Sequence, residues 1–130
     1  SNEADIDEIL NIIVAGNEFK VSQIIGRLRS QGTLPVTLII AATRHFKALF
    51  SIISNPGGVG AGATALRPPV YGLRKDALVK QAQKWGAVKI KTAIKILTDT
   101  DLHLRSSNQQ APQIALVERL FIRIAILLKN

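Results

Sequence analysis

Nearly every segment of the chain carries the residue spacing of an amphipathic α-helix, and no segment alternates apolar and polar residues as a half-buried strand does. Ile6, Ile9, Leu10, Ile13 and Val14 fall at i, i+3, i+4, i+7 and i+8 and so share one helix face. Asp5, Asp7 and Glu8 occupy the first turn, where carboxylates suit the helix dipole, and Gly16-Asn17 ends the helix. A second helix, from about Glu18 to Gln31, turns Val21, Ile24, Ile25 and Leu28 to one side, and Gly32 stops it. So short a connection makes the two helices an antiparallel hairpin.

A third helix starts near Pro35 and runs to about Ser54. Leu38, Ile39, Ala42, Phe46, Leu49 and Ile53 form its inward stripe, opposite Arg44, Lys47 and Ser51. The small, Gly-rich stretch from Gly57 to Leu66 reads as a mobile connection, closed by Arg67-Pro68-Pro69. A fourth helix spans about Leu73 to Trp85 with Leu78, Ala82 and Trp85 inward, and Gly86 breaks it. A fifth runs from about Ala87 to Arg105 with Ile90, Ala93, Ile94, Leu97 and Leu104 inward. Ser106 to Ala111 is a polar loop, and Pro112 opens a sixth helix that continues to about Lys129. The expected fold is an all-α bundle of about six helices in a single domain.

Composition narrows the functions open to such a bundle. The 130 residues are 47% hydrophobic and 20% charged, enough apolar material for a core. With no Cys there is no disulfide, thiolate zinc site, Fe–S cluster or thiol nucleophile. The two histidines, His45 and His103, lie on different helices without an H-E-x-x-H pattern, so no metal site is expected. His45 reads as a packed or partner-facing imidazole. The Gly-rich stretch lacks the Lys and the strand–helix setting of a phosphate-binding loop. No G-x-S-x-G turn marks a serine nucleophile, so neither a catalytic residue nor a cofactor is expected. The longest apolar stretches, Leu34 to Ile53 and Ile114 to Leu128, are interrupted by charges, and no membrane-crossing helix is expected. The chain begins Ser1-Asn2 rather than with Met, and these two residues read as a tag-cleavage scar before a domain excised from a longer protein.

Charge is strong and uneven. Net charge is +8 at pH 7, and from Phe19 to Thr98 the only acid is Asp76 among thirteen Lys and Arg residues. Lys80, Lys84, Lys91 and Lys95 pair like charges at i, i+4, which is mildly unfavourable in an isolated helix. They are candidate phosphate contacts, and the alternative is a solvated basic face. Tyr71 and Trp85 are the only Tyr and Trp, and Trp85 reads as core, so no stacking platform for bases is expected. Asp101 falls on the Ile90, Ile94, Leu97 and Leu104 face, where Arg105 at i+4 is its expected partner in a polar clamp. The sixth helix is apolar nearly all round, so it is either central to its own bundle or buried from two directions. Leu116, Arg119, Ile122, Arg123 and Ile126 are the candidate partner interface on it.

Several of these features occur in an order that resembles a known family. Ala15-Gly16-Asn17, Ile24-Ile25, Leu28, Gly32, Pro35 and Leu38-Ile39-Ile40 form a helix-hairpin opening, continued by the basic and apolar run Arg44 to Leu49. Leu66-Arg67-Pro68-Pro69-Val70, Arg74-Lys75-Asp76-Ala77 and Trp85 are the most specific part. Asp101-Leu102, Leu104-Arg105 and Leu116-Val117-Glu118-Arg119-Leu120 close the pattern. Together they resemble the C-terminal collar domain of the delta subunit of the bacterial DNA polymerase III clamp loader, in its alphaproteobacterial form. Asn17 stands where relatives more often carry Asp, a difference confined to a turn.

The resemblance implies a non-catalytic oligomerisation domain, cytoplasmic and without cofactor. Its partners would be the gamma/tau and delta-prime subunits in a five-member collar. The sliding clamp would be met only through the family's other domains, and ATP-driven motion would occur elsewhere in a parent holoenzyme that is a DNA-directed DNA polymerase. DNA binding would be weak and non-specific at most. The rival readings are an independent basic helical domain that binds nucleic acid non-specifically and, with no catalytic constellation behind it, an enzyme.

Overall fold

The computed structural model describes residues 2–130, so the scar expected at Ser1-Asn2 lies partly outside the described residues. Those residues form an all-α bundle: α1 (Asn2–Val14), a 3-10 turn (Glu18–Lys20), α2 (Val21–Ser30), α3 (Pro35–Ser54), α4 (Val59–Thr64), α5 (Gly72–Leu104) and α6 (Gln113–Leu127). The packing centres on α3, which lies along α5 and also touches α1, α4 and α6. Leu38, Ala42, Phe46, Leu49 and Ile52 of α3 are all 0% exposed. By length and composition α3, with a mean hydropathy of 1.5, is apolar enough to cross a membrane, a property that the core helix of a bundle shares. Here its charges, Arg44 and Lys47, lie on the outer face, and its apolar stripe is covered by neighbouring helices.

The hairpin of α1 and α2 is tied on its outer side by polar contacts. Arg27 Nη1 lies 3.1 Å from Asp5 Oδ1 and 3.0 Å from Glu8 Oε1, and Gln31 Nε2 donates to Asp5 Oδ2 at 2.6 Å. Trp85 fastens α5 to the end of α1. Its Nε1–H donates to the Val14 carbonyl at 2.9 Å, and its ring stands edge-on to Phe46 with centroids 4.9 Å apart. A buried indole needs such a partner for its N–H.

Gly86 interrupts α5 as the sequence implies. Its φ of 75° and ψ of 161° are non-helical and suit a residue without Cβ, so residues 72–85 and 87–104 are two arms meeting at a kink. The reading of Gly57 to Leu66 as a mobile connection is corrected: Val59–Thr64 is helical and packs on α3 and α5. The reason is close approach. A Cβ on Gly62 would stand 2.6 Å from the Ile52 carbonyl oxygen, so only Gly lets α4 sit so near the α3 backbone. With Gly62 and Ala63 buried there, Ile52 becomes fully buried and Ile53 only half-buried, which displaces the expected end of the α3 stripe by one residue.

Candidate functional site

The sixth helix resolves into two faces. Val117, Leu120, Phe121, Ile124 and Ala125 are buried, and α6 touches α1, α2, α3 and α5. One side is therefore central to the chain's own bundle. At about 100° per residue, Leu116, Arg119, Ile122, Arg123 and Ile126 span only about 120° of arc, opposite that buried side. Arg119, Arg123 and Ile126 are exposed, and Leu116 and Ile122 are half-buried. The structure thus gathers all five candidate interface residues on one outward strip. Ile122 is less outward than its spacing suggests, because its side chain packs on the edge of the core.

Beside this strip runs a shallow groove of about 280 Å³, where Leu116, Arg119 and Arg123 face Asp99, Thr100 and His103 of α5. Asp99 is engaged by Lys95 at 3.0 Å, whereas Arg119 and Arg123 have no ion-pair partner among the described residues. Aliphatic side chains interleaved with unpaired arginines can desolvate against an apolar partner while the guanidiniums meet acidic groups at the rim. The strip holds no acid–base pair that could do covalent chemistry.

The other candidate residues fall elsewhere. Arg105 Nη2 lies 3.1 Å from Asp101 Oδ2, with the Asp101 side chain 29% exposed, so the carboxylate sits at a groove edge rather than in the core. Arg44 and Lys47 of α3 line the same groove. The four candidate phosphate lysines do not form one cradle. Lys80 and Lys84 border a groove with Asn11 and Val14 of α1 and Ala15 just after it, and beyond the kink Lys91 Nζ lies 5.8 Å from the Phe50 ring centroid while Lys95 holds Asp99. Lys89 and Lys75 also have internal partners, the Leu128 carbonyl and the Thr64 hydroxyl.

His45 is half-buried with Nε2 2.7 Å from Gln81 Oε1. Burial holds its pKa below the ordinary histidine value; the Gln81 hydrogen bond opposes this, nearby Arg74 adds to it and Asp7 opposes it. Arg44, Arg67 and Arg74 line the cleft next to this imidazole, a grouping invisible in the sequence because the three sit on three different elements. Among the described residues no group of His, Asp or Glu is placed to hold a metal ion.

The fold and surfaces define a class: a basic all-α bundle with an amphipathic outer strip on its last helix. No family model, curated protein or solved structure matches the chain.

Proposed function

We propose that this chain is a non-catalytic oligomerisation domain, a collar domain of the delta subunit of a DNA polymerase III clamp loader that helps load the sliding clamp in replication. The observation that carries the oligomerisation reading is the outward strip of α6, where Leu116, Ile122 and Ile126 alternate with the unpaired Arg119 and Arg123. The particular complex comes from the resemblance of the sequence, most specific from Leu66 to Trp85. On this reading the strip docks against the collar domains of gamma/tau or delta-prime, and the protein works in the cytoplasm. Apolar burial drives such docking at about 25 cal/mol per Å² before association costs are subtracted. The domain's contribution is mechanical: it holds a subunit in its ring position and hydrolyses nothing itself.

The nucleic-acid reading is the second choice, favoured by the exposed Lys80 and Lys84. Against it, Lys75, Lys89, Lys91 and Lys95 all have partners within the chain, which leaves a dispersed rather than continuous cationic track. The deciding experiment mixes this protein with purified gamma/tau and delta-prime collar domains and follows the mixture by gel filtration. Co-elution that is lost in a folded Ile126→Asp variant supports the proposal. Separate elution of the wild-type protein from both neighbours refutes it.

A further inference from the structure

Between α1, α3, the Pro-rich segment 66–70 and the start of α5 lies a cleft of about 360 Å³. This is the size range of small-ligand sites. Its cations come from three separate elements: Arg44 from α3, Arg67 from the connecting segment and Arg74 from α5. Among the described residues the only acid lining it is Asp7. Two other arginines do have acidic partners: Arg27 lies against Asp5 and Glu8, and Arg105 against Asp101. None of the three cleft arginines has an ion-pair partner among the described residues. Like charges in excess of the nearby Asp7 repel, and a bound anion relieves that repulsion.

The cleft is also preorganised. Arg67 Nη1 donates to the carbonyl oxygens of Thr64 at 3.1 Å and Leu66 at 2.7 Å, which fixes the guanidinium and leaves its Nε and Nη2 hydrogens for a ligand. Pro68 and Pro69 stiffen the wall beside it. Leu10 and Leu78 supply apolar lining. Burial disfavours the charged form of half-buried His45, and the three guanidiniums against the Asp7 carboxylate leave two formal positive charges. That balance matches a dianion better than a single carboxylate.

We propose that this cleft binds a phosphomonoester carried on a small apolar body, with the phosphate among Arg44, Arg67 and Arg74 and the body against Leu10 and Leu78. Arginine forks suit phosphate oxygens, and the apolar lining distinguishes an organic phosphate from the free ion. The site is independent of the α6 strip and of the collar reading.

Isothermal titration calorimetry on the whole chain at low salt tests this, with phenyl phosphate as probe and inorganic phosphate as the anion alone. Phenyl phosphate is expected to bind at least about tenfold more tightly than inorganic phosphate, because burying the ring adds an apolar term. Arg44→Ala and Arg74→Ala are each expected to weaken it by about tenfold, the scale of one charge-assisted pair, with Arg74→Lys intermediate and Lys84→Ala unchanged. Both arginines are exposed, so the variants keep the fold, which far-UV circular dichroism checks. Equal binding of the two probes, or phenyl phosphate binding unaffected by Arg44→Ala and Arg74→Ala, overturns the proposal. So does an oligonucleotide that competes equally well with and without a terminal phosphate, since that is recognition of the nucleic-acid backbone.

Discussion

Replacing Gly62 by Ala tests how closely α4 is pressed against α3. The added methyl would meet the Ile52 carbonyl oxygen at 2.6 Å and the Ile52 Cα at 2.7 Å, both backbone atoms that cannot swing aside. Forcing α4 away is an overpacking change, about 1–3 kcal/mol, and Ala regains at most about 1 kcal/mol of helix propensity. The net expectation is a loss of about 1–2 kcal/mol. With an unfolding entropy of about 2.1 cal/mol/K per residue, that lowers Tm by about 4–7 °C for a chain this long. Gly26→Ala in α2 is the matched control, because its Cβ would meet nothing within 4 Å. There propensity acts alone, and a gain of about 0.4–1 kcal/mol is expected. Thermal and urea unfolding followed by far-UV circular dichroism measure both variants. A Gly62→Ala protein as stable as wild type would show that α4 does not rest on the Ile52 backbone.

Three further outcomes follow from the charge arrangement. Asp5 is held below the ordinary carboxylate pKa, first by the Gln31 hydrogen bond and then by Arg27. Its stabilising contribution is therefore present above about pH 4 and lost as pH falls through the depressed value, so Asp5→Asn should lower Tm near neutrality and converge with wild type in strong acid. His45, depressed mainly by burial, takes up its proton more readily in the unfolded chain. Stability should decline as pH falls below about 6.5, and His45→Gln should flatten that slope in urea titrations at several pH values. Fluorescence anisotropy with two unrelated oligonucleotides should give dissociation constants no tighter than about 10⁻⁶ to 10⁻⁴ M near physiological salt, weakening steeply with salt and alike for both sequences. Tight binding that separates the sequences would favour the nucleic-acid reading.

Helix content was legible because apolar spacing repeats through residues 6–14, 21–28 and 38–49, and most of those positions are buried. The break at Gly86 was legible for the same reason, since the period restarts after it. Val59–Thr64 was not, because its role depends on small size rather than on an apolar stripe. Gly62 contributes nothing to a hydrophobic pattern, yet it admits the Ile52 backbone. Hiding α4 also hid the burial of Ile52, since that side of α3 looks outward until α4 is placed on it. On α6 the outer strip could be read from residue spacing, but the half-burial of Ile122 depends on neighbours distant in sequence. The arginine cleft was illegible for a related reason: Arg44, Arg67 and Arg74 meet only once α3, the Pro-rich segment and α5 are folded together. The lysine series misled in the opposite direction, because regular i, i+4 spacing says nothing of Asp99 and Phe50 as partners.

The central claim is that the outward strip of α6 meets a neighbouring collar subunit. A photo-crosslinking amino acid at Ile126, which is 38% exposed, reads that contact directly. The same group at Leu73, 88% exposed and on α5, serves as the reference position. In a mixture with gamma/tau and delta-prime, irradiation should join the Ile126 position to one of these subunits in high yield and leave the Leu73 position largely uncoupled. Crosslinks from Leu73 but none from Ile126, or none from either position with all subunits folded and present, would contradict the account.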